Sequence, residues 1–253
     1  MGRAKRLIWL VSSLASVCAC GQFFNINAEG ELCLNPGTMG LREVLVFKDP
    51  GTYQFRRADY PWLARVRVQV QGGGGGSAGA DAAQDETITR PGGAGGGYSM
   101  SLLEADLLGD VETIVVGAGG SAGEGNNAGG AGGASSFAGI VLATGGDGSP
   151  ANMTSGTSLN TQVGVPGSAI GTGQLTYGGS AGGTAIRLSG SLGVSGSGGD
   201  SRFGYGGFAR SNDGVGTYSR GYGAGAGGAA SIGGNRNDGA PGGNGLVMLE
   251  LFG

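Results

Sequence analysis

The chain contains no histidine. That absence removes imidazole acid–base chemistry and every metal site that depends on a histidine ligand. Cysteine is scarce. Cys18, Cys20 and Cys33 cannot build a disulfide framework, and with no fourth thiol they do not close a zinc site. Only 13% of the residues are charged, so this is not a charge-driven disordered tail. Proline is limited to 7 residues and glycine does not recur strictly at every third position, which excludes a collagen triple helix. Long apolar runs are missing too. The stretch Leu7–Val17 falls short of the roughly 20 residues that a membrane span requires, so no stable membrane insertion is expected.

What the chain has is glycine, at 62 of 253 residues, together with 39% hydrophobic residues. The glycines are unevenly placed: residues 1–71 hold 6 and residues 72–253 hold 56. Charge divides at the same point. Up to Gln71 there are 9 Lys/Arg against 5 Asp/Glu, and beyond it 6 against 13, so a net of +4 adjoins a net of −7. A mildly acidic chain is not suited to nucleic acid.

The first segment has two readings. Arg3, Lys5 and Arg6 precede the apolar stretch, and Cys18-Ala-Cys20 follows it, the grammar of a signal peptide. The same residues also suit a retained helix or anchoring strand. Cys20–Leu34 then alternates apolar residues on both sides of Ala28-Glu29-Gly30, which predicts a hairpin turning on Gly30.

A β framework follows. Residues 43–48 and 52–56 predict strands around Asp49-Pro50-Gly51. Residues 63–71 alternate, with Leu63, Val66, Val68 and Val70 on one face and Arg65, Arg67, Gln69 and Gln71 on a solvated one. Residues 112–116 form another strand, and 135–144 hold two around Gly139. The apolar run 246–252 predicts a strand paired inside a sheet. Only Ser101–Asp110 reads as briefly helical. The fold class is all-β, a jelly-roll-like sandwich.

Three structures are open to the glycine tract: a disordered linker, long ordered loops, or packed polyglycine II helices with three residues per turn. Runs such as 72–76, 92–97, 117–120, 129–133 and 221–228 are interrupted by Tyr98, Phe137, Ile186, Leu188 and Phe203, among others. A spacer has no use for such packing residues. Ordered loops or polyglycine II helices are therefore expected.

The order of these elements is familiar. A strand pair surrounds Asp49-Pro-Gly-Thr-Tyr53, then come Val66-Arg-Val-Gln-Val-Gln-Gly-Gly-Gly-Gly-Gly76, Gly95-Gly-Gly-Tyr98, Thr113-Ile-Val-Val-Gly-Ala-Gly-Gly120 and Gly129-Gly-Ala-Gly-Gly-Ala-Ser-Ser-Phe137. Ala143-Thr-Gly-Gly146 follows, and Gly239-Ala-Pro-Gly-Gly-Asn-Gly-Leu-Val-Met-Leu-Glu-Leu251 closes the order. It resembles the glycine-rich domain of bacteriophage minor tail and tail-fibre proteins, over about residues 43–253. Cys20–Leu34 is similar to the hairpins ahead of such domains in tail proteins of actinobacterial phages. The resemblance implies a non-enzymatic virion protein at the tail tip or on a fibre, without cofactor and with adhesin-like contact to a host glycan or protein. It implies that residues 1–42 mount the chain on other tail proteins and that residues 43–253 form the glycine-rich β domain. Homotrimeric assembly comes from the likeness to fibres. The alternative is an exported glycine-rich bacterial surface or cell-wall protein.

The best candidate for contact is an aromatic and arginine cluster: Tyr205, Phe208, Arg210, Tyr218, Arg220 and Tyr222, with Phe203 and Phe137 read as core residues. Such rings either stack on sugar faces or pack between glycine helices. Other motifs are weaker. Gly117, Gly119 and Ala122 follow a strand as G-x-G-x-x-A, yet Gly123–Gly130 cannot form the helix that a dinucleotide fingerprint requires. Gly146-Asp147, Gly199-Asp200 and Gly234-Asn235 lack the nine-residue period of calcium repeats. Arg202-Phe-Gly204 and Arg220-Gly-Tyr-Gly223 are isolated RNA-type matches. Glu104, Asp106, Asp110 and Glu112 read as a solvated face rather than a hydrolase pair.

Overall fold

The computed structural model describes residues 24–26, 30–34 and 40–253. Cys18, Cys20, the tip Ala28-Glu29 and Asn35-Pro-Gly37, a sequence that marks a turn, lie outside them. The expected hairpin is present: Phe24–Ile26 pairs antiparallel with Leu32–Leu34, and Gly30 turns the chain with φ +83°.

Two antiparallel sheets form a sandwich from nine strands. In chain order these are β1 (Leu41–Phe47), β2 (Gly51–Arg56), β3 (Arg65–Gln71), β4 (Tyr98–Glu104), β5 (Val111–Val116), β6 (Ser135–Phe137), β7 (Val141–Ala143), β8 (Leu175–Tyr177) and β9 (Leu246–Phe252). One sheet has the order β8-β4-β3-β9-β1 and the other β7-β6-β5-β2. The strands around Asp49-Pro50 do not pair with each other. The chain crosses there from one sheet to the other. As its composition predicts, β9 is an interior strand, bonded to β3 on one side and β1 on the other.

Alternation supplies the core. Val66, Val68 and Val70 of β3 and Val247, Leu249 and Leu251 of β9 meet Phe55, Ile114, Phe137 and Val141 from the facing sheet. Burying each such side chain contributes about 1.5–3 kcal/mol.

The structure corrects two sequence expectations. Residues 101–104 continue strand β4, and only Ala105–Leu107 makes a single 3₁₀ turn. Leu103 is needed in the core and pairs with Val66, so tertiary pairing overrides the local Leu/Glu/Ala preference. Gln71 is not on a solvated face. It is fully buried, and its Nε2 donates to the carbonyls of Gly72, Gly96 and Gly97, where the sandwich meets the glycine tract. On the rest of that face, Gln69 donates to Glu250, to which Arg67 also pairs, and accepts from the Tyr98 hydroxyl.

Beyond Gln71 the glycine tract is ordered. Among the described residues the chain makes twelve extended passes between the sandwich and a cap at the other end, alternately outward and back. They cover roughly 72–79, 91–97, 117–124, 128–134, 144–150, 163–171, 178–184, 195–200, 206–210, 214–219, 223–229 and 238–245.

The hydrogen bonds define the geometry. Gly72 and Gly75 donate to Gly97 and Ala94, Gly73 and Gly76 to Gly133 and Gly130, and Gly74 and Ser77 to Gly243 and Ala240. Successive N–H groups thus address three antiparallel neighbours in rotation, and the cycle repeats every three residues. Three parallel neighbours donate back, through Gly146 to Gly73, Gly120 to Gly74 and Ala226 to Gly75. Six neighbours around one pass and a three-residue turn are the polyglycine II arrangement. The backbone groups that an isolated extended helix leaves to water are here paired with one another.

The cap is built from short strands. Asn160–Gln162, Ala185–Ser189 and Leu192–Val194 form one sheet, Thr87–Thr89 pairs with Ala230–Ile232, and Ala80–Asp81 with Arg236–Asn237. Its apolar centre is small: Ala80, Ala82, Ile88 and Ala229. Two buried arginines supplement it. Arg90 donates to the Gly79 and Met153 carbonyls and to Asn126 Oδ1 at 2.7–2.8 Å. Arg187 donates to the Ser158, Thr87 and Thr154 carbonyls at 2.6–3.0 Å. Each guanidinium collects carbonyls left where passes end and strands begin. Burial pushes the Arg90 pKa down to about 10.

Candidate functional site

The expected contact cluster falls on one side of the bundle, on the adjacent passes 206–210 and 214–219 and the ribbon that joins the bundle near them. In that ribbon Phe203–Tyr205 pairs with Arg220–Tyr222, placing Tyr205 opposite Arg220 and Phe203 opposite Tyr222. The two passes are tied together by Thr217, whose hydroxyl donates to the Phe208 carbonyl at 2.6 Å. Thr217 and Gly227 exchange backbone hydrogen bonds, as do Gly214 and Ala230 three residues away, so the three-residue turn extends to this edge.

That turn decides what points outward. Tyr205 is exposed at the end of the ribbon strand and Phe208 on the pass that follows it, while Val215 and Tyr218, three residues apart on the neighbouring pass, share a side and form a ridge. Their exposures are 75%, 61%, 49% and 68%. A groove of about 330 Å³ is lined by Phe208, Arg210, Val215, Thr217, Tyr218 and Arg220. Arg210 closes the end near the cap, with Nη1 toward the Asp213 carbonyl at 3.4 Å, and Arg220 is exposed at the end near the sandwich.

Four of the six expected residues, Phe208, Arg210, Tyr218 and Arg220, therefore line one groove. Tyr205 is exposed beside it, and Tyr222 is half-buried in the ribbon. Phe137 is a core residue as expected. Phe203 is only half-buried, packed on Tyr98 at 5.8 Å between ring centres. Sequence reasoning missed Val215 and Thr217. The signal for Val215 was its spacing of three from Tyr218, which becomes meaningful once three residues make a turn, whereas no spacing marks Thr217.

The groove is also distinctive in charge. Of the six arginines beyond residue 71, Arg90 and Arg187 are buried in the cap and Arg236 pairs with Glu124 and Asp238. The remaining three, Arg202, Arg210 and Arg220, belong to this stretch, and among the described residues none has a carboxylate within ion-pair distance. The nearby Asp213 carboxylate is turned into the cap, where it accepts from the Ile232 N–H and from Asn235 and Asn237.

Two other concavities are present. One of about 440 Å³ at the outer end of the sandwich is lined by Arg57, Tyr60, Pro61, Asp106 and Asp110. The carboxylates around it are separate: Glu104, Asp106 and Asp110 are exposed, and Glu112 accepts from the Gly109 N–H at 2.6 Å. Another of about 280 Å³ lies over Tyr177, Asp200 and Arg202. Burial is the main cause that raises the pKa of the neighbouring Tyr98, which stacks on Tyr177. Among the described residues no group of three or more Cys, Asp or Glu is placed to hold a metal. The G-x-G-x-x-A residues lie in a bundle pass. A Cβ at Gly117 or Gly119 would lie 2.2 or 2.0 Å from the carbonyl oxygens of Gly133 or Gly242, so these glycines serve interpass packing.

Comparison with the curated proteins finds no match. A family model for a glycine-rich domain matches residues 50–251, from Pro50 just ahead of β2 to the penultimate residue of β9. Strand β1 lies ahead of that match yet completes the β9 sheet. With most of its length matched, the chain belongs to the glycine-rich domain family.

Proposed function

We propose that this chain is a non-catalytic attachment protein: a structural component of a phage tail, at the tip or on a fibre, that contributes to recognition of the host surface. The observation that carries this reading is the exposed aromatic cluster on the side of the bundle. Tyr205, Phe208 and Tyr218 project from backbones fixed by their own hydrogen bonds. Binding through such a surface requires little ordering of the protein, which favours affinity. The virion setting rests on the resemblance in the order of sequence elements. Residues 1–42 would mount the chain on neighbouring tail proteins, and Leu41, exposed at the start of edge strand β1, suits that role, with the exposed Val44 and Val46 of the β domain extending the same edge. Three-fold assembly belongs to the same proposal.

Labelling purified particles with an antibody to this chain tests the setting. Signal on the tail is expected, whereas its absence from particles, with the chain on the bacterial surface instead, overturns the reading. Replacing Tyr205, Phe208, Tyr218 and Tyr222 with serine tests the contact. Adsorption should fall while the chain still assembles, and unchanged adsorption removes the cluster from recognition.

A further inference from the structure

We infer that the groove between passes 206–210 and 214–219 binds an acidic oligosaccharide lengthwise. The inference rests on the attachment reading and names the ligand chemistry of that site. Its middle is apolar and aromatic, with Phe208 on one pass and Val215 and Tyr218 on the other. Aromatic faces of this kind stack on the apolar faces of pyranose rings, while the tyrosine hydroxyl remains free for hydrogen bonds.

The two ends are cationic. Arg210 reaches back against Gly214 at the start of pass 214–219, and Arg220 opens the ribbon strand just past its end. At the roughly 3.1 Å rise per residue of a three-fold extended helix, the six residues of backbone from Gly214 to Arg220 span about 19 Å. That length suits several linked sugars rather than one.

Charge selects the class of sugar. Residues 72–253 carry a net charge of −7 by sequence, yet the groove lacks any lining carboxylate and has a guanidinium at each end. The Nε of Arg210 is buried without a hydrogen-bond partner among the described residues, so a ligand in the groove would be met by the Nη groups of this guanidinium, of which Nη1 lies 3.4 Å from the Asp213 carbonyl. A planar guanidinium matches a carboxylate or phosphate through paired N–H donors. A neutral glycan would leave both ends unused, and an extended basic ligand would be repelled by them. Uronate and phosphate groups present the same chemistry, so both are to be tested.

The test titrates the full chain with tetragalacturonate, with its carboxyl-reduced neutral counterpart and with a phosphodiester-linked glycan oligomer, at low and high salt. One of the anionic oligomers should bind, the neutral tetramer should bind about tenfold more weakly, and affinity should fall as salt rises. Arg220→Gln and Tyr218→Ser should each weaken binding by about tenfold, with Arg220→Lys recovering part of it. Both side chains are exposed, so unchanged melting temperatures will separate lost contact from lost fold. Equal affinity for the neutral tetramer, binding unaffected by either substitution, or no binding of either anionic oligomer overturns the inference. If particles nevertheless adsorb through the aromatic cluster, the ligand is a protein or a neutral glycan and the attachment reading stands. If the cluster is dispensable for adsorption, that reading falls by itself.

Discussion

Gly76 and Ser121 lie so close in adjacent passes that a Cβ added to Gly76 would sit 2.0 Å from the Ser121 carbonyl oxygen. The same holds along the central pass, where a Cβ on Gly72, Gly74 or Gly75 would meet the carbonyl of Thr144, Ala224 or Asp147 at 2.0–2.1 Å. Glycine here is a packing requirement imposed by backbone against backbone. It is what allows six neighbours to reach hydrogen-bonding distance.

Gly76→Ala is therefore expected to destabilise the fold by about 3 kcal/mol or more, at the upper end of overpacking effects. Gly40→Ala is the control. Nothing lies within 4 Å of a Cβ there, and its change should stay within about 0.5 kcal/mol. Urea denaturation of both variants checks the difference. Similar stability for the two would mean that the passes are not packed as described.

Much of the framework was legible because alternation is a direct signal. Val66, Val68 and Val70, the run 246–252 and the pair of strands around Gly139 all fall where their pattern places them. Gln71 was misread because alternation describes a strand within one sheet, and this residue ends its strand inside a second module. The bundle was legible as ordered material but not as twelve passes. Its period of three lies in the hydrogen bonds, whereas the glycine spacing is irregular. Ala94, Ala224 and Ala226 are fully buried within passes, so some inward positions accept a methyl group. For the same reason the groove could be anticipated from Phe208, Arg210, Tyr218 and Arg220, but not from Val215 and Thr217.

Hydrogen exchange should distinguish this bundle from a flexible glycine linker. The N–H groups of Gly73, Gly74, Gly75 and Gly76 each donate to a carbonyl at 2.8–2.9 Å inside the bundle. They should exchange only through large-scale opening, as slowly as the amides of β9. Exchange at the rate of an unstructured peptide would contradict the packing.

Asp238 joins the last pass to the tip of the turn at 124–127. Its Oδ1 accepts from the Gly125 N–H at 2.8 Å and from Arg236 Nε at 3.2 Å. Chiefly the Gly125 bond, and then Arg236, hold its pKa below the ordinary 3.8 of an aspartate. A carboxylate depressed on folding contributes stability above its unfolded pKa and loses it as pH falls through the folded value. The wild type should lose this contribution below about pH 4, and Asp238→Asn should lack that part of the acid limb. Carboxyl-carbon NMR titration locates the Asp238 pKa directly, and a value at or above 3.8 would contradict the assignment.

Arg90 tests what holds the cap. It is 1% exposed, and its three hydrogen bonds all end on neutral oxygens, those of Gly79, Met153 and Asn126. Replacing it with methionine keeps the length and apolar volume but leaves the Gly79 and Met153 carbonyls buried and unpaired, while Asn126 Oδ1 keeps its bond from the Asp81 N–H. Since each orphaned group costs about 1–3 kcal/mol, a loss of about 3 kcal/mol or more is expected. Arg90→Lys should recover little, because one ammonium lacks the planar fork that reaches three separated oxygens. Asn126→Ala removes only one of the three acceptors and should cost less than Arg90→Met. Thermal melts of the three variants give the ranking. If Arg90→Met proved as stable as the wild type, the small alanine-lined cap would be holding itself together without the guanidinium.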